Sequence, residues 1–250
     1  MDLGQSRFNA VVKERNIELP LHGSWDTALV IEGNVPPHRP NRDFLRLLAS
    51  ANPDLTGWPV WLDSSDFSTE TSRPYLMSGR WEALIFSGKG SDRGGGHLDF
   101  WMLDPKGTFF LRRALQDDVG GRNPAAEMKT LEPKLATLRV GEALAVGQAF
   151  ARAMGCAEGT VKLSLGFRWT KLKGRSPIPW ASPMHIGRGY ATAHQDEAES
   201  TVVLPFPAND EAICLATHEA ILPLMSIFGG YEPHYESTRG WITRLLTRKL

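Results

Sequence analysis

Cysteine is nearly absent from this 250-residue chain. Cys156 and Cys214 are too few and too far apart for a disulfide framework or a cysteine metal knot. Both sit among apolar residues at helical spacing and read as small buried hydrophobes in a chain suited to a reducing compartment. An excess of charge of one sign is also missing: 28 Lys and Arg face 28 Asp and Glu. A protein built to coat nucleic acid would be basic overall, so that class is excluded, while a local basic patch stays open. No window approaches the ~20 consecutive apolar residues of a membrane helix. The first residues, MDLGQSRFNAVVKERNIEL, carry charge throughout and lack the apolar stretch of a signal peptide. These absences point to the cytoplasm and to no membrane partner.

Catalytic signatures are missing as well. GSDRGGGH (90–97) contains no Gly-Lys-Ser/Thr and precedes a strand pattern, so no helix N-terminus would face a phosphate there. It reads as a flexible hairpin loop. No two of the seven histidines stand at i, i+4, which excludes a zincin helix, and no G-x-S-x-G elbow occurs. Asp117-Asp118 lie in a polar, Gly- and Pro-rich stretch and read as solvated carboxylates.

What remains is an ordinary core supply, with 42% hydrophobic residues and eight tryptophans. Residues 1–24 read as a short helix and a linker, an N-terminal extension to a single domain over 25–250. WDTALVIE (25–32) is a strand, stopped by the three prolines of GNVPPHRP. Asn41 caps a helix over NRDFLRLLASA. GWPVWLD (57–63) reads as an edge strand because of Pro59, with Trp58 and Trp61 placed to line a pocket. Three strands follow over 79–87, 97–103 and 107–115. The last two are joined by the turn Asp104-Pro105-Lys106-Gly107. A long helix over 134–154 interleaves large apolar residues with Ala and Gly, so it is buried. Its small residues, like the last helix, also offer a homo-oligomer interface. Strands at 160–170 and 199–206 and helices over 211–228 and at the C-terminus complete the chain. Strands that cluster instead of alternating with helices predict an α+β fold. Its sheet is mostly antiparallel and mixed, packed by the long helix and the C-terminal helices.

Two constellations could meet a ligand. Arg168, Trp169, Lys171, Lys173, Arg175 and Trp180 put cations beside aromatic faces, the pairing that binds phosphates and stacks bases. The competing reading is a strand end with Trp169 in the core and solvated lysines. His194, Asp196 and Glu199 form the densest ligand-capable cluster, suited to a divalent ion in a hydrolase or nuclease-like enzyme. A solvated acidic loop is the competing reading there, and no cofactor is called for.

The runs GWPVWLD, RPYLMSGRWEALIF, HLDFWMLDPKGTFFLRRALQDD, VGEALAVGQAFARAMGC and LGFRWTKLKGR carry a resemblance. Together, over about residues 25–230, they resemble the C-terminal region of bacterial proteins whose N-terminal half is a Schlafen-type AlbA_2 domain. No AlbA_2 segment precedes residue 25, so the nucleic-acid function associated with that half does not carry over. The resemblance implies an accessory or sensor domain. Such a domain would work with a protein partner in a nucleic-acid-associated or antiviral defence system. The sequence therefore favours a non-enzymatic ligand-sensing or partner-binding domain. The metal-dependent enzyme and a structural oligomerisation subunit stand as alternatives.

Overall fold

A computed structural model describes residues 1–53, 55–57, 60–61, 70–86, 96–119, 127–180 and 191–249. Seven strands form one sheet: β1 (Ser24–Gly33), β2 (Tyr75–Met77), β3 (Arg80–Phe86), β4 (Leu98–Asp104), β5 (Thr108–Ala114), β7 (Val161–Trp169) and β9 (Ala198–Pro205). Their spatial order is β2-β3-β4-β5-β1-β7-β9, and every neighbouring pair is antiparallel. Two short segments, β6 (Thr130–Leu131) and β8 (Ser176–Pro177), pair in parallel apart from this sheet. The helices are α1 (Asp2–Glu14), α2 (Arg42–Ala51), α3 (Pro133–Ala153), α4 (Asp210–Ser226) and α5 (Tyr235–Leu246). The α+β expectation holds.

Period-two alternation assigns the faces. Trp25 and Leu29 of β1, Trp101 and Leu103 of β4, Phe109 and Leu111 of β5, and Leu163 to Trp169 of β7 at alternate positions share a core with α3, α4 and α5. Ala28, Leu84, Phe100, Met102 and Phe110 point the other way and pack against Phe8 and Val11 of α1. Burying one such phenylalanine contributes about 1.5–3 kcal/mol. Gly4 lets α1 come this close, because a Cβ there would lie 2.1 Å from Phe110 Cγ.

Local signals set the ends of these elements. Asn41 accepts from the Phe44 amide at the start of α2, and Asn209 does the same for Ala212 at the start of α4. The Gly107 amide bonds the Asp104 carbonyl, and Gly107 takes φ +87°, a type I turn with a glycine bulge between β4 and β5. At the end of α1, Asn16 sits at φ 50°; its amide reaches the Lys13 carbonyl, and the Ile17 amide reaches that of Val12. This is a Schellman closure, with Ile17 as its apolar residue past the helix end.

Two expectations are corrected, and a third is narrowed. Of the small residues of α3, Gly141, Ala143, Gly147 and Ala151 are buried in internal packing, while Ala145, Ala149 and Ala153 stay partly exposed. A Cβ on Gly141 would meet Ile242 of α5 at 2.5 Å, and one on Gly147 would meet Leu29 of β1 at 3.4 Å. Within the expected strand 57–63, Val60 and Trp61 form a buried turn with Trp61 at φ 49°, because Trp61 packs edge-on to Phe109 and against Phe150. Trp58, Pro59 and residues 62–63 lie outside the described residues, as do 89–95 of the glycine loop. Asp117 and Asp118 are not solvated; both are buried at the junction of β5 with β6 and α3.

No helix of the described residues is long and apolar enough to cross a membrane.

Candidate functional site

The basic and aromatic segment after β7 is largely turned inward. Arg175 is fully buried, and its guanidinium donates to Asp118, to the Thr130 carbonyl and to the Lys171 carbonyl. Asp118 in turn accepts from the backbone amides of Gly23 and Met128. Trp180 donates its indole N–H to Asp117 at 2.8 Å, and Asp117 also accepts from the Glu132 amide. The Ser176 and Ile178 amides bond the Lys129 and Leu131 carbonyls, so β8 is stitched to β6 along the same seam. Residues 171–180 are thus a strap closed over an aspartate pair.

Trp169 is buried and stacks on Phe167 with ring centroids 6.0 Å apart. Arg168 lies on the opposite face of the sheet, where it pairs with Glu197 and, at 3.3 Å, with Glu199. Only Lys171 and Lys173 of the six residues stand exposed. His194, Asp196 and Glu199 are all exposed, and the structure does not bring them together: Asp196 supplies its backbone carbonyl to Leu172, and Glu199 faces Arg168. Among the described residues no group of three His, Cys, Asp or Glu side chains could hold a metal ion.

The strap adjoins a desolvated polar layer that the sequence did not reveal. Arg113 on β5 pairs with Asp99 on β4 at 2.7 Å, and Arg139 on α3 pairs with Glu142 at 2.9 Å. Thr56 Oγ1 donates to Glu142 at 2.8 Å. Burial lowers the pKa of Arg139, with Arg113 acting in the same sense, and burial raises that of Glu142. Asp117 is pushed up to about 6 by burial and by the neighbouring Asp118, against the opposing pull of Trp180, Arg175 and the Glu132 amide. A cavity of about 30 Å³ lies between Trp25, Arg113, Gln116, Asp117, Arg139 and Trp169. That is room for a water or two, far below the ~300 Å³ at which organic ligands begin to fit.

A concavity of ligand size lies on the other face of the sheet. Leu84 and Phe86 of β3, Arg15 and Ile17 past the end of α1, and the 3-10 turn Glu70–Ser72 line it. Its volume is about 620 Å³. The Schellman closure positions the helix end, since it occupies the carbonyls of Val12 and Lys13 and turns Ile17 to the groove. Arg15 is held in place by one N–H to the Thr71 carbonyl at 2.6 Å and by the ring of Tyr75, 5.2 Å from its guanidinium carbon. Beneath, Glu82 is buried, gripped by Arg7 through two 2.8 Å bonds and by the Tyr75 hydroxyl at 3.0 Å. Burial and Glu82 hold the Tyr75 hydroxyl near 12, so it stays a neutral donor.

Sequence reasoning missed this groove because its parts are a helix end, a short turn and a strand end from separate stretches of chain. Asn16-Ile17 after a helical pattern was the one local sign of it. No family model, no curated protein and no solved structure matches the chain.

Proposed function

We propose that this chain is a non-enzymatic ligand-sensing domain with the groove between α1, the 3-10 turn and β3 as its binding site. The observation that carries the reading is the groove itself: about 620 Å³, lined by apolar side chains and a few polar groups. Organic ligands bind in concavities of this size and lining. The resemblance to the C-terminal region of AlbA_2 proteins supports an accessory role beside a protein partner, in nucleic-acid-associated or antiviral defence. Under this reading Lys171 and Lys173 are what remains of the basic segment for contact with an anionic partner.

A thermal-shift screen of uncharged, anionic, cationic and zwitterionic small molecules tests the ligand arm. A ligand at a hundred times its Kd stabilises by about 2.7 kcal/mol, which a melting curve resolves. A flat response across all four classes sinks the reading.

A further inference from the structure

We infer that the groove takes an organic monocarboxylate: an apolar or aromatic body on Ile17, Leu84 and Phe86, with its carboxylate on Arg15. This rests on the groove being a binding site and adds the chemistry of what it holds.

The argument starts from what each lining group can still do. Ile17, Leu84 and Phe86 offer carbon surface and favour an apolar body. Among the described residues Arg15 takes part in no ion pair, although it is only partly exposed and lies at the groove wall. Its guanidinium spends one donor on the Thr71 carbonyl and lays its face toward Tyr75. A guanidinium carries five N–H donors in a planar fork that matches a carboxylate. Its own tethers therefore hold Arg15 in place while donors remain to be used, which lowers the ordering cost of binding.

The surroundings narrow the ligand further. The nearest carboxylate beneath, Glu82, is already neutralised by Arg7 and the Tyr75 hydroxyl, so it neither competes for Arg15 nor attracts a cation. The amides of Arg15, Asn16 and Ile17 take up the Val11, Lys13 and Val12 carbonyls at the end of α1, so these oxygens are not left as acceptors for a cationic ligand. Glu70 is exposed at the groove, next to the Thr71 whose carbonyl Arg15 bonds. It would repel a second negative charge, which is why the inference is a monocarboxylate and not a dianion.

Calorimetric titration of the whole chain with 4-phenylbutyrate, 4-phenylbutanamide, 4-phenylbutylamine and phenylsuccinate tests this. The monocarboxylate should bind at least tenfold more tightly than the other three, since it alone pairs with Arg15 through charge-assisted bonds without meeting Glu70 with a second negative charge. Arg15→Gln should bring the acid down to the affinity of the amide, Arg15→Lys should keep part of the preference, and Glu70→Gln should raise affinity for phenylsuccinate. Equal binding of acid and amide, or undiminished acid binding by Arg15→Gln, overturns the monocarboxylate assignment while leaving the groove a binding site. Should Arg15→Gln fail to fold, the four-ligand series on the unaltered chain decides. Binding of none of the four overturns the assignment too, and the wider screen above then decides separately whether the groove binds anything.

Discussion

Arg175 and Asp118 form an ion pair in which neither side chain has any exposure to solvent. Two charges removed from water need partners for every remaining donor and lone pair. Here the Thr130 and Lys171 carbonyls complete the guanidinium, and the Gly23 and Met128 amides complete the carboxylate. Arg175→Met should therefore cost about 3–5 kcal/mol, because it strands a buried carboxylate. The double change Arg175→Met with Asp118→Leu should recover much of that loss. Urea unfolding of the two variants checks both, and a double variant no better than the single one would contradict this account.

Asp117 makes stability depend on pH in a direction opposite to that of an ordinary salt-bridged aspartate. Its folded pKa, about 6, lies above the 3.8 of an aspartate in water, so the folded state holds the proton more tightly than the unfolded chain. The associated stability is complete below about pH 4 and is lost as pH rises through 6. Asp117→Asn should flatten the unfolding free energy between pH 4 and 7 and make the variant the more stable of the two at pH 7.5. Chemical denaturation at five pH values reads this; an unchanged slope refutes it.

Trp180 is the indole donor to that same carboxylate. Trp180→Phe keeps the ring bulk and deletes the N–H, leaving Asp117 with one fewer donor. The Asp117 titration midpoint should then move further upward, because a bond favouring the charged form is gone. Measuring the pH of half-loss in the same denaturation series tests this, and a midpoint that falls would be the contrary result.

Gly141 and Ile242 are a matched pair across α3 and α5. Gly141→Ala should destabilise by about 1–3 kcal/mol through overpacking, despite alanine being the better helix former. Adding Ile242→Ala should relieve the clash, so that the double variant loses less than the sum of the two single ones. A double-mutant cycle by thermal unfolding gives the coupling, and strict additivity would show that the contact does not govern the packing.

Strands β1, β3, β4, β5, β7 and β9 were legible because each carried its own local signal, as in the alternation of Val161 to Trp169 or the Asp104–Gly107 turn, whereas the two- and three-residue strands β2, β6 and β8 carried none. Asn41 and Asn209 announced their helices in the same way. The aspartate pair was not legible. Asp117-Asp118 stands in a polar stretch, and the partners that make burial affordable, Arg175 and Trp180, come much later in the chain. The same arginine and tryptophan, read in their own neighbourhood, looked like a binding surface. Residues that satisfy a distant buried charge are locally indistinguishable from residues that await a ligand. The Gly positions of α3 were ambiguous for a related reason. Smallness permits close approach but does not say whether the neighbour is α5 or a second chain.

β1 is the first strand of the chain and lies inside the sheet, with Trp25 aligned to Arg113 of β5 on one edge and to Trp169 of β7 on the other. A ribosome releases β1 long before either neighbour exists. Its backbone donors and acceptors must wait in water, or in transient company, until more than half of the polypeptide has emerged. Loop closure on that scale slows folding and lengthens the interval in which an apolar strand is open to mispairing. This topology therefore predicts slow refolding, with the sheet completed only when β7 docks on β1.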